Sequence, residues 1–215
     1  MLFGAVAVGV VVAAALVAAA VSRGQVAGDT PAEQIASICR LADERPWGAA
    51  DAIAAAAGGK ANPSVRKAAL IALGRFTRAR DRGIVDSATT DAAAEVRAGA
   101  ALTLGVYGDG AAADRLGKLL ATDPDEQVRL AAVTGVGRVG GDKAIVLLAE
   151  AMENNDNAKV QSRAMVVLLR QLKLRHPNPP DPGDKARWGA LVRKIRGMSP
   201  IQDAFKAVSA IRQDK

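Results

Sequence analysis

The chain is poor in the residues that usually build metal and catalytic centres: it has one cysteine, one histidine and only 3% aromatic side chains in 215 residues. A single Cys excludes an intramolecular disulfide framework and a cysteine-based zinc site. A single His, His176, excludes a multi-histidine metal cluster and argues against a Ser-His-Asp triad. With so few aromatics, any core must be built from Ala, Val and Leu. Small side chains bury little area each, so helices must approach closely and the core must be spread along the chain. Half of the residues are hydrophobic, which is too many for disorder throughout. The formal net charge of +7 favours acidic partners, anionic lipid or nucleic acid, without choosing among them.

Residues Leu2 to Val21, with Phe3, Val10 and Leu16 among them, contain no charged or strongly polar side chain. At ~1.5 Å rise per residue, a run of this length spans a hydrocarbon core of ~30 Å. The expectation is a single transmembrane helix or signal anchor over 1–21, followed by a polar tether over 22–30. The rival is a cleaved signal peptide with Ala18-Ala19-Ala20 as its small-residue site. No Lys or Arg precedes the apolar run, and the run is longer than a usual signal-peptide core; both weaken that rival. No Cys follows closely, so a lipoprotein attachment site is not expected. Arg23 and Arg40 on the downstream flank place the body in the cytoplasm by the positive-inside rule, with the periplasm as the alternative. Thr30-Pro31-Ala32-Glu33 then announces a helix, with Thr30 as cap, Pro31 at the first helical position and Glu33 closing a capping box.

Internal repetition is the strongest pattern in the chain. Turn residues, a Val, a polar residue and an Ala-rich helix recur four times: Asn62-Pro63-Ser64-Val65-Arg66, Ala94-Glu95-Val96-Arg97, Asp125-Glu126-Gln127-Val128-Arg129 and Asn157-Ala158-Lys159-Val160-Gln161. The Val steps are 31, 32 and 32 residues, and a Gly follows nine positions after each of the first three, at Gly74, Gly105 and Gly137. From Val65, the residues Ala68, Ala69, Ala72 and Leu73 fall on one helical face, and Gly74 suits a C-terminal cap. Asp123-Pro124-Asp125-Glu126 puts a cap and acids where the helix dipole favours negative charge. Second helices are expected near Ala111–Ala121 and Lys143–Met152. Each unit is therefore a helical hairpin of ~30 residues that buries its apolar face only against neighbouring copies.

This text, and Asp123-Pro124-Asp125-Glu126-Gln127-Val128-Arg129-Leu130-Ala131-Ala132 ending in Val136-Gly137 above all, resembles the HEAT repeat, in particular the short bacterial kind found in phycobilin lyases. The likeness covers about 31–173. It implies an all-α fold, an α-solenoid of HEAT-like hairpins. It also implies a polar ladder between repeats carried by Arg66, Arg97 and Arg129, with Asp123 as the best-matched acid. Gln161 replaces the Arg in the last unit and Leu169 the Gly, so the ladder is expected to stop there. The family is diverse in function, so the likeness specifies a scaffold and no reaction.

A stiff linker over 174–184 follows, with four prolines from Pro177 to Pro182. A C-terminal helical pair is expected over 185–215, with Trp188, Leu191, Val192, Ile195 and Met198 at helical spacing and a second capping box at Ser199-Pro200-Ile201-Gln202.

Several motifs reduce to ordinary structure. Gly135-Val136-Gly137-Arg138-Val139-Gly140 matches a dinucleotide fingerprint in letters only, because that fingerprint needs a preceding strand. Cys39, among Ile35, Ile38 and Ala42, reads as a small buried hydrophobe. Trp47 reads as packing of the first hairpin, and Trp188 as core or as an interface anchor. The segment 66–82 is more suggestive: Arg66, Lys67, Arg75, Arg78, Arg80 and Arg82 face only Asp81, for a local charge of +5. A solvated basic face is the plain reading; an anionic partner surface is the functional one. Leu70, Ile71, Leu102, Leu130, Val133 and Val166 lie off the main stripe and could form an apolar strip of the kind solenoids use for partners.

The function expected from these features is a membrane-anchored HEAT-repeat scaffold that binds protein partners, without catalysis, cofactor or metal, such as an accessory subunit of a larger membrane complex. Its partner-binding residues would be Arg66, Lys67, Arg75, Arg78, Arg97, Arg129 and Trp188. Its membrane residues would be Leu2, Phe3, Val10, Leu16 and Val21. Two alternatives from other classes are a HEAT-type lyase or chaperone acting on a bound pigment, and a basic solenoid binding nucleic acid through 66–82. The second is disfavoured because a membrane tether hinders access to the genome.

Overall fold

The structure, a computed structural model, describes residues 25–173. The proposed anchor 1–21, the Pro-rich linker 174–184 and the C-terminal pair with Trp188 lie outside these residues. Among the described residues there are nine α-helices, a single 3-10 turn at Ala79–Asp81 and no strand. The helices are α1 Pro31–Glu44, α2 Ala49–Gly58, α3 Pro63–Leu73, α4 Arg82–Ala88, α5 Ala94–Tyr107, α6 Gly110–Thr122, α7 Glu126–Val139, α8 Gly141–Asn154 and α9 Ala158–Lys173. No described helix is long and apolar enough to cross a membrane.

The odd-numbered helices are copies of one another. The marker residues Val65, Val96, Val128 and Val160 are at most 1% exposed. Four positions on, Ala69, Ala100, Ala132 and Ala164 are fully buried, as are Leu73, Leu104, Val136 and Leu168 another turn on. The helix α1 belongs to this series, 32 residues ahead of α3. Its Ser37 and Leu41 occupy the same two positions and are equally buried. The Val marker misses α1 because Glu33 stands where Val65 stands in α3. The capping box needs that Glu: its carboxylate accepts from the Asp29 and Thr30 N–H groups at 2.9 and 3.2 Å, and Glu33 N–H donates to Thr30 Oγ1 at 3.3 Å. These N–H donors hold the Glu33 carboxyl below its ordinary pKa.

The chain divides into two compact units, with the division inside α5 between Thr103 and Leu104. In the first, α1 and α2 pack on each other and both pack on α3, and α2 also touches α4. In the second, α6 and α7 pack on each other, α8 packs on both, and α9 packs on α7 and α8. Each unit has its own core of small aliphatics, Ile38, Ile53 and Leu70 in the first and Leu116, Leu148 and Leu168 in the second. Burying a side chain of that size contributes about 1.5–3 kcal/mol.

Glycine makes the close approach possible. A Cβ on Gly99 would meet the Lys67 Cα at 3.1 Å, and one on Gly137 would meet Val167 Cγ1 at 2.4 Å. Gly105 and Gly137 therefore do not punctuate helix ends as Gly74 does. They lie inside α5 and α7, where a neighbour leaves no room for a side chain. The literal G-x-G-x-x-G likewise lies mostly within α7, with only Gly140 past its end at φ 65°.

Candidate partner-binding faces

The arginines beside the marker valines point back into the loops that precede their own helices. Arg97 Nη1 donates to the Asp91 carbonyl at 2.9 Å, and Arg129 Nη1 donates to the Asp123 carbonyl at 2.9 Å. Gln161 Nε2 donates to the Asn155 carbonyl at 2.7 Å. All three bonds span six residues and recur every 32. These bonds stay within each repeat, the Gln161 amide taking the carbonyl that a guanidinium takes in the others. Between repeats, Arg129 reaches Asp156 of the following loop at 3.5 Å. The acids of this register serve the loop as well: Asp91, Asp123 and Asn155 each accept, through Oδ1, the N–H two residues on.

Arg66 makes a different contact. It pairs with the Asp91 carboxylate through both terminal nitrogens, Nη1 at 3.3 Å, with 19% and 16% of the two side chains exposed. The Arg66 guanidinium, together with the Ala93 N–H, holds the Asp91 carboxyl well below the usual carboxylate range. In the second unit, Glu126 is lowered similarly by Lys159 and Asn157, whose nitrogens lie 2.9 and 2.8 Å away.

Segment 66–82 loses its apparent charge on folding. Arg75 pairs with Asp43, Arg80 with Asp51, and Arg82 with Asp86. Arg78 bridges Asp81 at 2.7 Å and Asp51 at 2.8 Å, which raises its pKa further. The five arginines of the segment are thus each matched by an aspartate, and four of the five aspartates, all but Asp81, come from outside the segment. Lys67 is the segment's cation without an ion pair among the described residues, and its stem lies against Gly99. Residues 25–173 carry 19 Lys and Arg against 18 Asp and Glu, so the +7 of the whole chain resides almost entirely outside them. The basic face expected from the local sequence is, apart from Lys67, a set of ion pairs among the described residues.

The apolar strip survives in part. Leu70 and Val133 are fully buried and leave it. In the first unit, Ile71 in α3 is 42% exposed and Leu102 in α5 partly exposed; in the second, Val166 in α9 is 55% exposed and Leu130 in α7 partly exposed. Helix α7 carries Thr134 six positions after its marker Val, where the other three helices carry Ile71, Leu102 and Val166. In the second unit, Leu130, Ala158, Lys159, Ser162, Arg163 and Val166 line a shallow, almost wholly apolar depression of about 520 Å³. Arg163 and Arg170 lie exposed on the same helix as Val166, with no ion pair among the described residues.

Two expectations about single residues are overturned. Cys39 is exposed, because the buried face of α1 is formed by Ser37, Ile38, Leu41 and Ala42. Trp47 does not pack the first hairpin: it is 96% exposed on the turn between α1 and α2. The sequence gives no warning of this, since both α1 and α2 fill their shared interface with aliphatics.

Compared with known proteins, residues 82–168, from α4 to most of α9, match the family model of HEAT repeats. No curated protein matches the chain.

Proposed function

We propose that the chain is a scaffold that binds protein partners through the exposed apolar face of α7 and α9. The HEAT match supports a protein-interaction role, since such repeats commonly present one face to partners. The observation that carries the reading is the shallow apolar depression of the second unit, where Leu130 lies partly exposed and Val166 exposed, with Arg163 and Arg170 on the same helix as Val166. An acidic, amphipathic partner segment fits that face: its apolar side covers the aliphatics and its carboxylates meet the two arginines. The role is non-catalytic, and the mechanism is the fixed geometry of the face.

The membrane reading belongs to the same proposal. Leu2–Val21 inserts as a single-pass anchor, Arg23 and Arg40 keep the body on the cytoplasmic side, and the partner is a component of a larger membrane complex. A photo-crosslinking residue at position 166 of the full chain in membranes is expected to capture a defined partner that the same residue at position 118, on the exposed part of α6, does not. Equal labelling from both positions, or none from 166, overturns the assignment of the face.

A further inference from the structure

We propose that Trp47 is a second membrane contact, its indole resting in the headgroup region of the bilayer that Leu2–Val21 enters. The inference rests on the membrane half of the proposed function and adds the orientation of the body.

Three observations carry it. The first is the exposure of an indole on a turn whose backbone is held at both ends. Arg45 takes the left-handed conformation at φ 48°, and its N–H donates to the Leu41 carbonyl at 3.0 Å. Its guanidinium lies over the Phe76 ring, 5.4 Å from the centroid, and Nη2 donates to the Arg75 carbonyl at 3.4 Å. Ala49 N–H closes the turn on the Pro46 carbonyl at 3.0 Å, and Gly48 supplies φ 82°. A turn fixed at both ends holds its largest side chain 96% in solvent.

The second is the direction of the strap leading into α1. Gln34 Nε2 donates to the Gly28 carbonyl at 3.1 Å, and Ala27 N–H donates to Ser37 Oγ at 3.0 Å. As the strap number falls by one, the partner on α1 rises by three. The strap therefore runs antiparallel to α1, toward the end where Trp47 sits. From Ser37 to Glu44, α1 advances about 10 Å. The five residues 22–26 can span up to ~17 Å. The end of the apolar run can thus reach the level of the Trp47 turn without disturbing the strap.

The third is the charge around the turn. Asp43 is matched by Arg75, and Asp51 by Arg78 and Arg80, which leaves Glu44 as the acid beside the turn without an ion pair among the described residues. Indole, apolar in body and with one N–H to donate, favours the interface between hydrocarbon and water. Arg45, the cation next to the turn, is engaged by the Phe76 ring and the Arg75 carbonyl, and the contact is assigned to the indole and not to lipid charge.

Only Trp47 and Trp188 fluoresce as indoles in this chain. The full chain carrying Trp188→Phe, reconstituted in phosphatidylcholine vesicles, is expected to float with them. Its emission should be shifted to the blue, and quenched more by bromines near the headgroup than by bromines deep in the acyl chain. Both effects should persist at high salt. The complementary Trp47→Phe chain, which keeps Trp188, should lack the shallow-quenched component. A chain that floats while Trp47 emits as a fully hydrated, unquenched indole overturns this inference alone. A chain that does not float overturns the anchor and, with it, the inference.

Discussion

Gly105 of α5 and Gly135 of α7 face each other so closely that a methyl group on Gly105 would lie 2.6 Å from the Gly135 Cα and 2.8 Å from its carbonyl oxygen. Backbone meets backbone there, with no flexible side chain to yield. In an isolated helix, Gly105→Ala would gain about 1 kcal/mol of propensity. Here overpacking costs about 1–3 kcal/mol, and the contact is of the least forgiving kind. A net loss of up to about 2 kcal/mol is expected, seen as a thermal midpoint lower by several degrees. Gly110→Ala is the matched control. It opens α6, has nothing within 4 Å of its added methyl, and should be neutral or slightly stabilising. Equal midpoints for the two variants would show that the helices separate at no cost.

Thr103 illustrates a buried polar group that ties two helices. Its hydroxyl is 2.8 Å from the Leu70 carbonyl of α3 and 2.8 Å from the Gly99 carbonyl of its own helix. The Leu70 carbonyl also accepts from Gly74 N–H at 3.3 Å, so removing the hydroxyl does not orphan it. Thr103→Val keeps the shape and should cost only about 0.5–1.5 kcal/mol. Thr103→Ala adds a cavity and should cost more. Chemical denaturation of the two variants checks the order; an Ala variant as stable as the Val one would remove packing from the account.

The helical repeat was legible because its markers are short-range. Valine spacing, capping residues and Ala-rich faces depend on neighbours within one turn, and Val65, Val96, Val128 and Val160 are buried as that spacing predicts. The copy in α1 was hidden because Glu33, in the Val position, serves the capping box of a helix with no described helix ahead of it. The charge of 66–82 was misread for the opposite reason. Its neutralising residues Asp43, Asp51 and Asp91 come from other stretches of the chain, which no local window sees, while Asp86 lies one turn past Arg82, just beyond the segment. Trp47 was misread because the size of a side chain suggests burial, while exposure here is set by a turn whose flanking helices already close on each other.

The exposed apolar face separates binding from folding. Val166 is more than half in solvent, so Val166→Asp should change stability by no more than about 0.5 kcal/mol. Placed beside Arg163, the new carboxylate would also repel an acidic partner. Co-purification of a membrane partner with the full chain should therefore fall sharply while the thermal midpoint holds. Retained co-purification with Val166→Asp, or a large drop in the midpoint, would remove Val166 from the binding face.

Asp91 should govern part of the acid limb of stability. Its carboxyl is held low in the folded chain by Arg66, against an unfolded value of about 3.9. A depressed folded pKa means that the unfolded state binds the proton first as pH falls. The contribution is therefore complete well above pH 4 and is lost progressively as pH drops through the folded value below it. Asp91→Asn keeps an oxygen for the Ala93 N–H but removes the charge facing Arg66, whose side chain is four-fifths buried. Near neutral pH this should cost about 1–3 kcal/mol, the range for a hydrogen bond to a charged group. As pH falls below about 4 and on through the lowered folded value, the wild type loses the same interaction, so the two denaturation midpoints should draw together. Glu33 and Glu126, lowered by other partners, keep a residual slope in both proteins. A difference between the two proteins that stays constant from pH 7 to pH 2.5 would show that the Arg66–Asp91 pair stabilises the fold by shape and not by charge.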